Sequence, residues 1–183
     1  GADSGHTRIY EYNASTTTWD QLGNDIDGEA VDDNSGYYVS LNSNGAIVAI
    51  GAIFNDGNGS NSGHTRVYRY NASTTTWIQL GNDINGEAAG DLSGGSVSLS
   101  SNGTKVAIGA SRNDGDTGHT RVYEYNASTN LWVQLGDDID GDAAGDYSGV
   151  SVSLSSDGTR VAIGAIFNDD NGSNSGHTRI YES

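Results

Sequence analysis

Cysteine, proline and methionine are absent from the 183-residue chain, and lysine occurs once, at Lys105. The absence of cysteine excludes disulfide bonds and thiolate metal sites. The 24 acidic residues outnumber the 8 basic ones and give a net charge of −16. Because phosphate binding needs clustered Lys and Arg, we expect no nucleic-acid partner. No apolar run approaches the length of a membrane span, so we expect no membrane insertion.

Small polar residues and aromatic residues make up much of the remaining sequence. Hydrophobic residues account for only 34% of the chain, but 27 Gly, 10 Tyr and 3 Trp are present. Val, Ile and Leu alternate with polar residues over short segments. This alternation supplies apolar surface for a thin folded core, which a disordered chain would lack.

An internal repeat of 55 to 58 residues dominates the sequence. The tetrapeptide Gly-His-Thr-Arg recurs at intervals of 58, 55 and 58 residues, with its histidine at His6, His64, His119 and His177. The tryptophans share this spacing and lie at Trp19, Trp77 and Trp132. The three-residue contraction falls within residues 109–119, as expected for a surface loop.

Each repeat contains four segments with the pattern of a β-strand. In the third copy, Ser151–Ser155 and Val161–Ala165 flank an Asp-Gly turn, which predicts an antiparallel hairpin. One repeat earlier, His119–Tyr125 and Leu131–Leu135 are rich in aromatic and β-branched residues. No segment has the apolar spacing of a helix. The pattern predicts an all-β fold of tandem four-stranded antiparallel blades of the propeller type.

The repeat boundaries predict two complete blades and two partial ones. Residues 35–92 and 93–147 form complete blades, residues 1–34 supply the last two strands of a blade, and residues 148–183 supply the first three. Closed propellers usually need roughly four to eight blades. We therefore expect the array to be continued by more copies in a longer chain, by ring closure between chains, or by head-to-tail addition in which Gly176–Ser183 completes a blade of the next subunit. The last two alternatives predict self-association.

Three motifs recur in the same order in each repeat. Ser-Gly precedes the first strand, Val-Ala-Ile-Gly-Ala forms the second, and Arg-Val-Tyr-x-Tyr forms the third. The first two motifs lie within residues 93–110, 148–165 and, more weakly, 35–52. This order resembles the FG-GAP repeat of integrin α-subunit β-propellers and related microbial surface proteins. The resemblance implies an extracellular or cell-surface propeller used in adhesion.

The first turn of each repeat departs from that family. In many FG-GAP blades this turn is an aspartate-rich calcium loop. Here it contains only Asn44-Gly45, Asn102-Gly103 and Asp157-Gly158. We therefore expect no calcium at the family position.

The acidic stretch after the Trp strand is a candidate site for a cation. Carboxylate and amide oxygens that alternate around a Gly turn suit a hard ion such as Ca²⁺. The residues are Asp25, Asp27, Glu29 and Asp33; Asp83, Asn85, Glu87 and Asp91; and Asp138, Asp140, Asp142 and Asp146. A solvated loop between blades is the alternative. A second acidic loop has a weaker pattern at Asn55-Asp56, Asn113-Asp114 and Asn168-Asp169.

Histidine, arginine and tyrosine occupy every second position of the third strand, so their side chains share one face. This spacing is typical of a packing ladder in which each Arg pairs with an Asp of a neighbouring loop. The ladder residues are His6, Arg8, His64, Arg66, His119, Arg121, His177 and Arg179. Because a catalytic site would not recur in every blade, and no unique cluster of His, Ser and carboxylate is present, we expect no enzymatic activity.

The tripeptide Asn-Ala-Ser recurs in the turn before the Trp strand, at Asn13, Asn71 and Asn126. It satisfies the acceptor pattern for N-glycosylation if the chain enters a eukaryotic secretory route. The alternative is that one turn sequence was copied by duplication without any modification.

Two functions are consistent with these patterns. One is a structural or adhesive extracellular repeat protein, part of a long array or filament. The other is a lectin-like or integrin-like module that binds a glycan or a protein through its loops, where tyrosines at Tyr37 and Tyr38 suit such contacts.

Overall fold

The computed structural model describes residues 3–182 and shows an all-β protein, with 46% of its residues in strands and 2% in helix. Residues 1, 2 and 183, at the ends of the predicted terminal blades, lie outside the described residues. All paired strands of the described part are antiparallel. The predicted all-β class is confirmed. None of the described helices is long and apolar enough to cross a membrane.

The N-terminal part, which we call sheet 1, consists of two strand pairs. Its strands are β1 (His6–Thr7), β2 (Tyr10–Asn13), β3 (Thr18–Gln21) and β4 (Ile26–Asp27). β2 and β3 form a hairpin, and β1 pairs with β4. The predicted third strand is thus interrupted at Arg8 and Ile9, because the described part of the chain places no second strand beside it.

Sheets 2 and 3 each have four strands in sequence order and a short fifth strand beside the third. Sheet 2 contains β5 (Tyr38–Leu41), β6 (Ile47–Ala52), β7 (His64–Asn71), β8 (Thr76–Gln79) and β9 (Ile84–Asn85). Sheet 3 contains β10 (Ser96–Leu99), β11 (Lys105–Ala110), β12 (His119–Asn126), β13 (Leu131–Gln134) and β14 (Ile139–Asp140), with one helical turn, α1 (Asn113–Asp116), between β11 and β12. The predicted third and fourth strands are confirmed to within one residue.

Sheet 4 has three strands, which are β15 (Ser148–Leu154), β16 (Arg160–Ala165) and β17 (His177–Glu182). β15 begins three residues earlier than predicted, and its register shifts between Ser148 and Ser151. β17 pairs with β16 of its own chain, with His177 opposite Ala165. Within the described residues, no strand occupies the outer side of β17.

The apolar core lies between consecutive sheets. Ile9 and Ile26 of sheet 1 pack with Val48, Tyr68 and Trp77 of sheet 2. The same arrangement recurs between sheets 2 and 3 and between sheets 3 and 4. Sheets 2 and 3 thus each pack one face on the preceding sheet and the other on the next.

A glycine of the second strand allows this close packing. A Cβ atom on Gly51 would overlap the carbonyl oxygen of Gly94 in the next sheet, and one on Gly109 would overlap that of Gly149. The backbones of adjacent sheets therefore approach each other directly at the glycine of the Val-Ala-Ile-Gly-Ala motif.

Candidate functional site

Trp77 joins sheet 2 to the turn that follows β3 of sheet 1. Its indole Nε1 donates a 2.8 Å hydrogen bond to the carbonyl oxygen of Leu22, and its backbone N–H donates to Oδ1 of Asn24 at 3.1 Å. Trp132 repeats this arrangement one sheet later, with a 2.7 Å bond to Leu80 O and a 2.9 Å bond to Asn82 Oδ1. We call this pair of bonds the tryptophan contact.

Trp19 is the equivalent residue of sheet 1, but it lies in solvent. Its side chain is 68% exposed, against 6% for Trp77 and 5% for Trp132. Its ring lies 5.4 Å from the ring of Tyr12, and the Tyr70–Trp77 rings are 5.3 Å apart. The hairpin around Trp19 therefore has the same local geometry, and it is more exposed because, within residues 3–182, no sheet packs against its outer face.

An apolar cavity of about 260 Å³ lies between sheets 3 and 4. Six apolar or aromatic side chains line it: Val122, Leu135, Ile139, Leu154, Val161 and Tyr181. These positions are one repeat after residues that surround Trp132, namely Val67, Leu80, Ile84, Leu99, Val106 and Tyr123. We call this cavity the tryptophan pocket.

The tryptophan pocket is open where its equivalent is filled. Leu135 is 37% exposed, whereas Leu80 is 7% exposed. A Cβ on Gly81 would lie 2.7 Å from Cδ1 of Trp132, but one on Gly136 would have no heavy atom within 4 Å. The pocket thus has the lining of a tryptophan site without the indole.

The third-strand ladder contacts the loop of the preceding sheet. Arg66 pairs with Glu29 at 3.1 Å, and Arg121 pairs with Glu87 at 3.4 Å. Arg179 contacts Asp142 in the same way. The predicted Arg–Asp pair is thus a glutamate pair in sheets 2 and 3.

Arg8 differs from the other ladder arginines because its partner belongs to its own repeat. It binds Asp25 at 2.7 Å, and this bond holds the pKa of Asp25 at about 2. His6 of the same repeat is exposed, whereas His64 is buried.

The acidic stretch does not form one cluster. In the first copy, Asp25 binds Arg8, Glu29 binds Arg66, and buried Asp33 accepts a 3.0 Å bond from Nδ2 of Asn55. No three carboxylates of one stretch converge among residues 3–182. The later copies divide in the same way at Asp83, Glu87 and Asp91, and at Asp138, Asp142 and Asp146. The alternation alone therefore does not build the predicted cation site, because neighbouring side chains reach different partners.

The asparagines of the second acidic loop donate hydrogen bonds to the last aspartate of the first acidic stretch. Asn55 donates to Asp33, Asn113 donates to Asp91 at 3.3 Å, and Asn168 donates to Asp146 at 2.9 Å. All three asparagines are buried. In each pair the two residues are 22 positions apart in sequence. The asparagines of this loop therefore have a structural role.

Metal-ligating side chains do converge around the buried histidines. His119 Nδ1 lies 3.4 Å from Oδ2 of Asp138 and 3.8 Å from Oε2 of Glu87. His64 Nδ1 lies 4.0 Å from Oε2 of Glu29, and Asp83 completes that group. A third group combines Asp142, Asp170 and His177. Sequence reasoning missed these groups because their members come from different repeats.

The two buried histidines are held as neutral imidazoles. Burial, together with the smaller effect of the charge of Arg66, lowers the pKa of His64 to about 4. Burial also lowers the pKa of His119. Both side chains are 1% exposed, and Nδ1 of each has no hydrogen-bond partner.

The predicted glycan acceptors lie at hairpin turns. Asn13, Asn71 and Asn126 end the third strands, and each Oδ1 accepts a hydrogen bond from a backbone N–H two residues later. Asn126 is exposed. Tyr37 and Tyr38 are 59% and 43% exposed.

Residues 139–181 match the family model of the FG-GAP repeat. The match spans sheet 4 and the short strand before it, and it confirms the resemblance drawn from the repeated motifs. No curated protein sequence matches the chain.

Solved structures with a similar fold include two proteins described as lactonases. A periplasmic gluconolactonase from Pseudomonas aeruginosa, PpgL, is 13% identical with a TM-score of 0.55, and the match covers 96% of this chain and 45% of that one. A proposed 6-phosphogluconolactonase from Bacteroides fragilis is 15% identical with a TM-score of 0.53, covering 81% of this chain and 35% of that one. Such identities show the fold alone, which is propeller-like. The chain spans less than half the length of either protein.

Proposed function

We propose that this chain, a module of β-propeller repeats with an FG-GAP repeat in its last sheet, is a non-enzymatic structural protein that self-associates head to tail. Extracellular or cell-surface adhesion is the setting that we propose for it, as the FG-GAP resemblance implies. The assembly is a ring or a filament, depending on whether successive copies close on themselves.

One observation carries the proposal: within the described residues, Trp19 of sheet 1 is exposed and the tryptophan pocket between sheets 3 and 4 is open. Inside the chain, the same two elements meet twice, at Trp77 and at Trp132. The second copy is therefore the occupant we assign to the pocket, since it extends an interface that the chain already uses between its own sheets.

Strand identity supports this assignment. The hexapeptide His6–Glu11 is identical to His177–Glu182, which is β17. A second copy that displaces β17 can therefore pair this segment with β16 in the register of β17 and place its β3 as the fourth strand of sheet 4. Trp19 then enters the pocket, where Leu135 O and the carboxylate of Asp137 stand in for the acceptors of the tryptophan contact.

The repeated polar groups support a structural role over catalysis. The arrangement of His, Arg and carboxylate recurs at each interface, and in sheets 2 and 3 its histidines are buried between adjacent sheets. A substrate would have no access to these imidazoles.

Self-association is tested by sedimentation velocity from micromolar to millimolar concentration. We expect the native chain to associate with increasing concentration and Trp19→Ala to remain a monomer. Val133→Ala is the matched control, because this side chain is 49% exposed on β13 and does not line the pocket. A native chain that stays monomeric throughout, or a Trp19→Ala chain that associates equally, contradicts the proposal. Electron microscopy of the associated material then distinguishes rings from filaments.

Binding of a glycan or protein is the second candidate function, and the adjacent exposed tyrosines Tyr37 and Tyr38 favour it. A glycan array probed with the native chain and with Tyr37→Ala tests it. Binding that Tyr37→Ala abolishes would support this function, and an absence of binding would contradict it.

A further inference from the structure

The interfaces between sheets 1 and 2 and between sheets 2 and 3 each enclose a buried imidazole that faces two carboxylates from different loops. At the second interface, Glu87 comes from the loop of sheet 2, whereas His119 and Asp138 belong to sheet 3. His119 is 1% exposed, and neither of its ring nitrogens has a hydrogen-bond partner. Buried polar side chains in folded proteins nearly always have a partner, and a bound ion would supply one here.

The distances from the imidazole nitrogen to the two carboxylate oxygens fit a small tetrahedral ion. Ligands at about 2.1 Å from a tetrahedral zinc ion lie about 3.4 Å from one another. His119 Nδ1 lies 3.4 Å from Oδ2 of Asp138 and 3.8 Å from Oε2 of Glu87. The fourth position would be filled by water.

Each carboxylate has one oxygen held by a neighbour and the other directed at the imidazole. Gln134 donates a 2.6 Å bond to Oδ1 of Asp138, and Arg121 lies 3.4 Å from Oε1 of Glu87. Metal-ligating carboxylates are commonly oriented by such hydrogen bonds. The first interface repeats the pattern, because Gln79 donates to Oδ1 of Asp83 at 2.7 Å.

We propose that the two interfaces each bind one zinc-class divalent ion, through Glu29, His64 and Asp83 and through Glu87, His119 and Asp138. A neutral imidazole with two carboxylates suits Zn²⁺ or Co²⁺, whereas Ca²⁺ prefers oxygen ligands only. The ion links one sheet to the next.

The chain contains its own control for this assignment. His6 occupies the same place in the repeat, but within the described residues no loop precedes it to supply the glutamate, and Asp25 is bound to Arg8. The group at His177 takes its third ligand from the exposed Asp170, so we expect it to bind more weakly.

The test uses chelator-treated protein titrated with Co²⁺, followed by visible absorption, and with Zn²⁺, followed by calorimetry. We expect about two tight sites per chain, one fewer in His64→Gln and in His119→Gln, and no change in His6→Gln. Excess Ca²⁺ is expected to leave the Co²⁺ spectrum unchanged. Gln134→Ala is expected to weaken one site about tenfold without removing it.

Three results would overturn the metal proposal: no tetrahedral Co²⁺ bands, a stoichiometry that both histidine variants leave unchanged, or full competition by Ca²⁺. Asp138→Asn, which keeps the side-chain volume, replaces His119→Gln if circular dichroism shows that the latter is unfolded. Repeating the titration with the Trp19→Ala chain separates metal binding from self-association. Each proposal can therefore be refuted independently of the other.

Discussion

Trp132 Nε1 donates a 2.7 Å hydrogen bond to the carbonyl oxygen of Leu80, which lies in the turn that follows the fourth strand of the preceding sheet. The bond joins residues 52 positions apart, and Trp77 and Leu22 make the same bond 55 positions apart. Each repeat therefore carries both halves of its own interface. Cohesion between sheets is therefore a property of the repeat.

Trp132→Ala is expected to destabilise the chain by about 3–5 kcal/mol, because it empties a buried site and leaves Leu80 O without its donor. Trp19→Ala is expected to change the unfolding free energy of the monomer by less than about 0.5 kcal/mol, because its side chain lies in solvent. Urea unfolding at concentrations where the chain is monomeric measures both. Equal losses in the two variants would contradict the assigned interface.

Gly109→Ala is expected to cost at least about 1–3 kcal/mol, because the new methyl group overlaps the backbone of the next sheet at Gly149. Gly164 holds the same place in sheet 4, where a Cβ would meet only the movable hydroxyl of Ser151. Gly164→Ala is therefore expected to be far milder. Thermal melting of the two variants compares them, and a Gly109→Ala chain as stable as the native one would refute close sheet approach there.

Asp33→Ala is expected to destabilise the chain by about 1–3 kcal/mol, because it leaves Nδ2 of buried Asn55 unpaired. The variant also removes the acceptor for the backbone N–H of Ala30. Glu11→Ala, an exposed carboxylate on β2, is the control and is expected to be neutral. Denaturant unfolding provides the measurement, and a neutral Asp33→Ala would show that the link between the two loops adds no stability.

Asp157 is expected to titrate well below an ordinary aspartate. Hydrogen bonds from Ser155 and Thr159 lower the pKa of its carboxyl to about 2. Since the unfolded pKa is about 3.9, the stabilisation is complete above that pH and is lost as the pH falls through about 2. Carbon-detected NMR of the side chain measures the midpoint. A midpoint near 4 would contradict the bonded turn, and Asn102, at the same place in sheet 3, is the non-titrating reference.

Secretion through a eukaryotic route is expected to add glycan at Asn126, whose side chain is exposed in a hairpin turn. Treatment with an N-glycosidase would increase the gel mobility of the native chain. Asn126→Gln is expected to remove one step of that change. Mobility that is identical with and without the glycosidase would show that the repeated tripeptide is not modified.

The repeat length, the strand positions and the fold class follow from local patterns. Alternation of polar and apolar residues specifies strands such as Ser96–Leu99, and an Asn-Gly or Asp-Gly turn specifies the hairpin beside them. The short strands such as Ile84–Asn85 have no such pattern, because two residues cannot show a period. Their pairing with β7 is a tertiary event.

For the candidate sites, the sequence and the tertiary structure determine different things. The sequence alone determined which residue types recur. It therefore showed that Trp, His and the carboxylates are repeated, and its motifs carry the family resemblance. Only the tertiary structure decided that Glu87 reaches His119, that Trp132 reaches Leu80, and that Trp19 is left in solvent. Side chains of one loop contact different partners, as when Asp25 pairs with Arg8 and Asp33 with Asn55, and these partners lie at separations along the chain that no local period encodes.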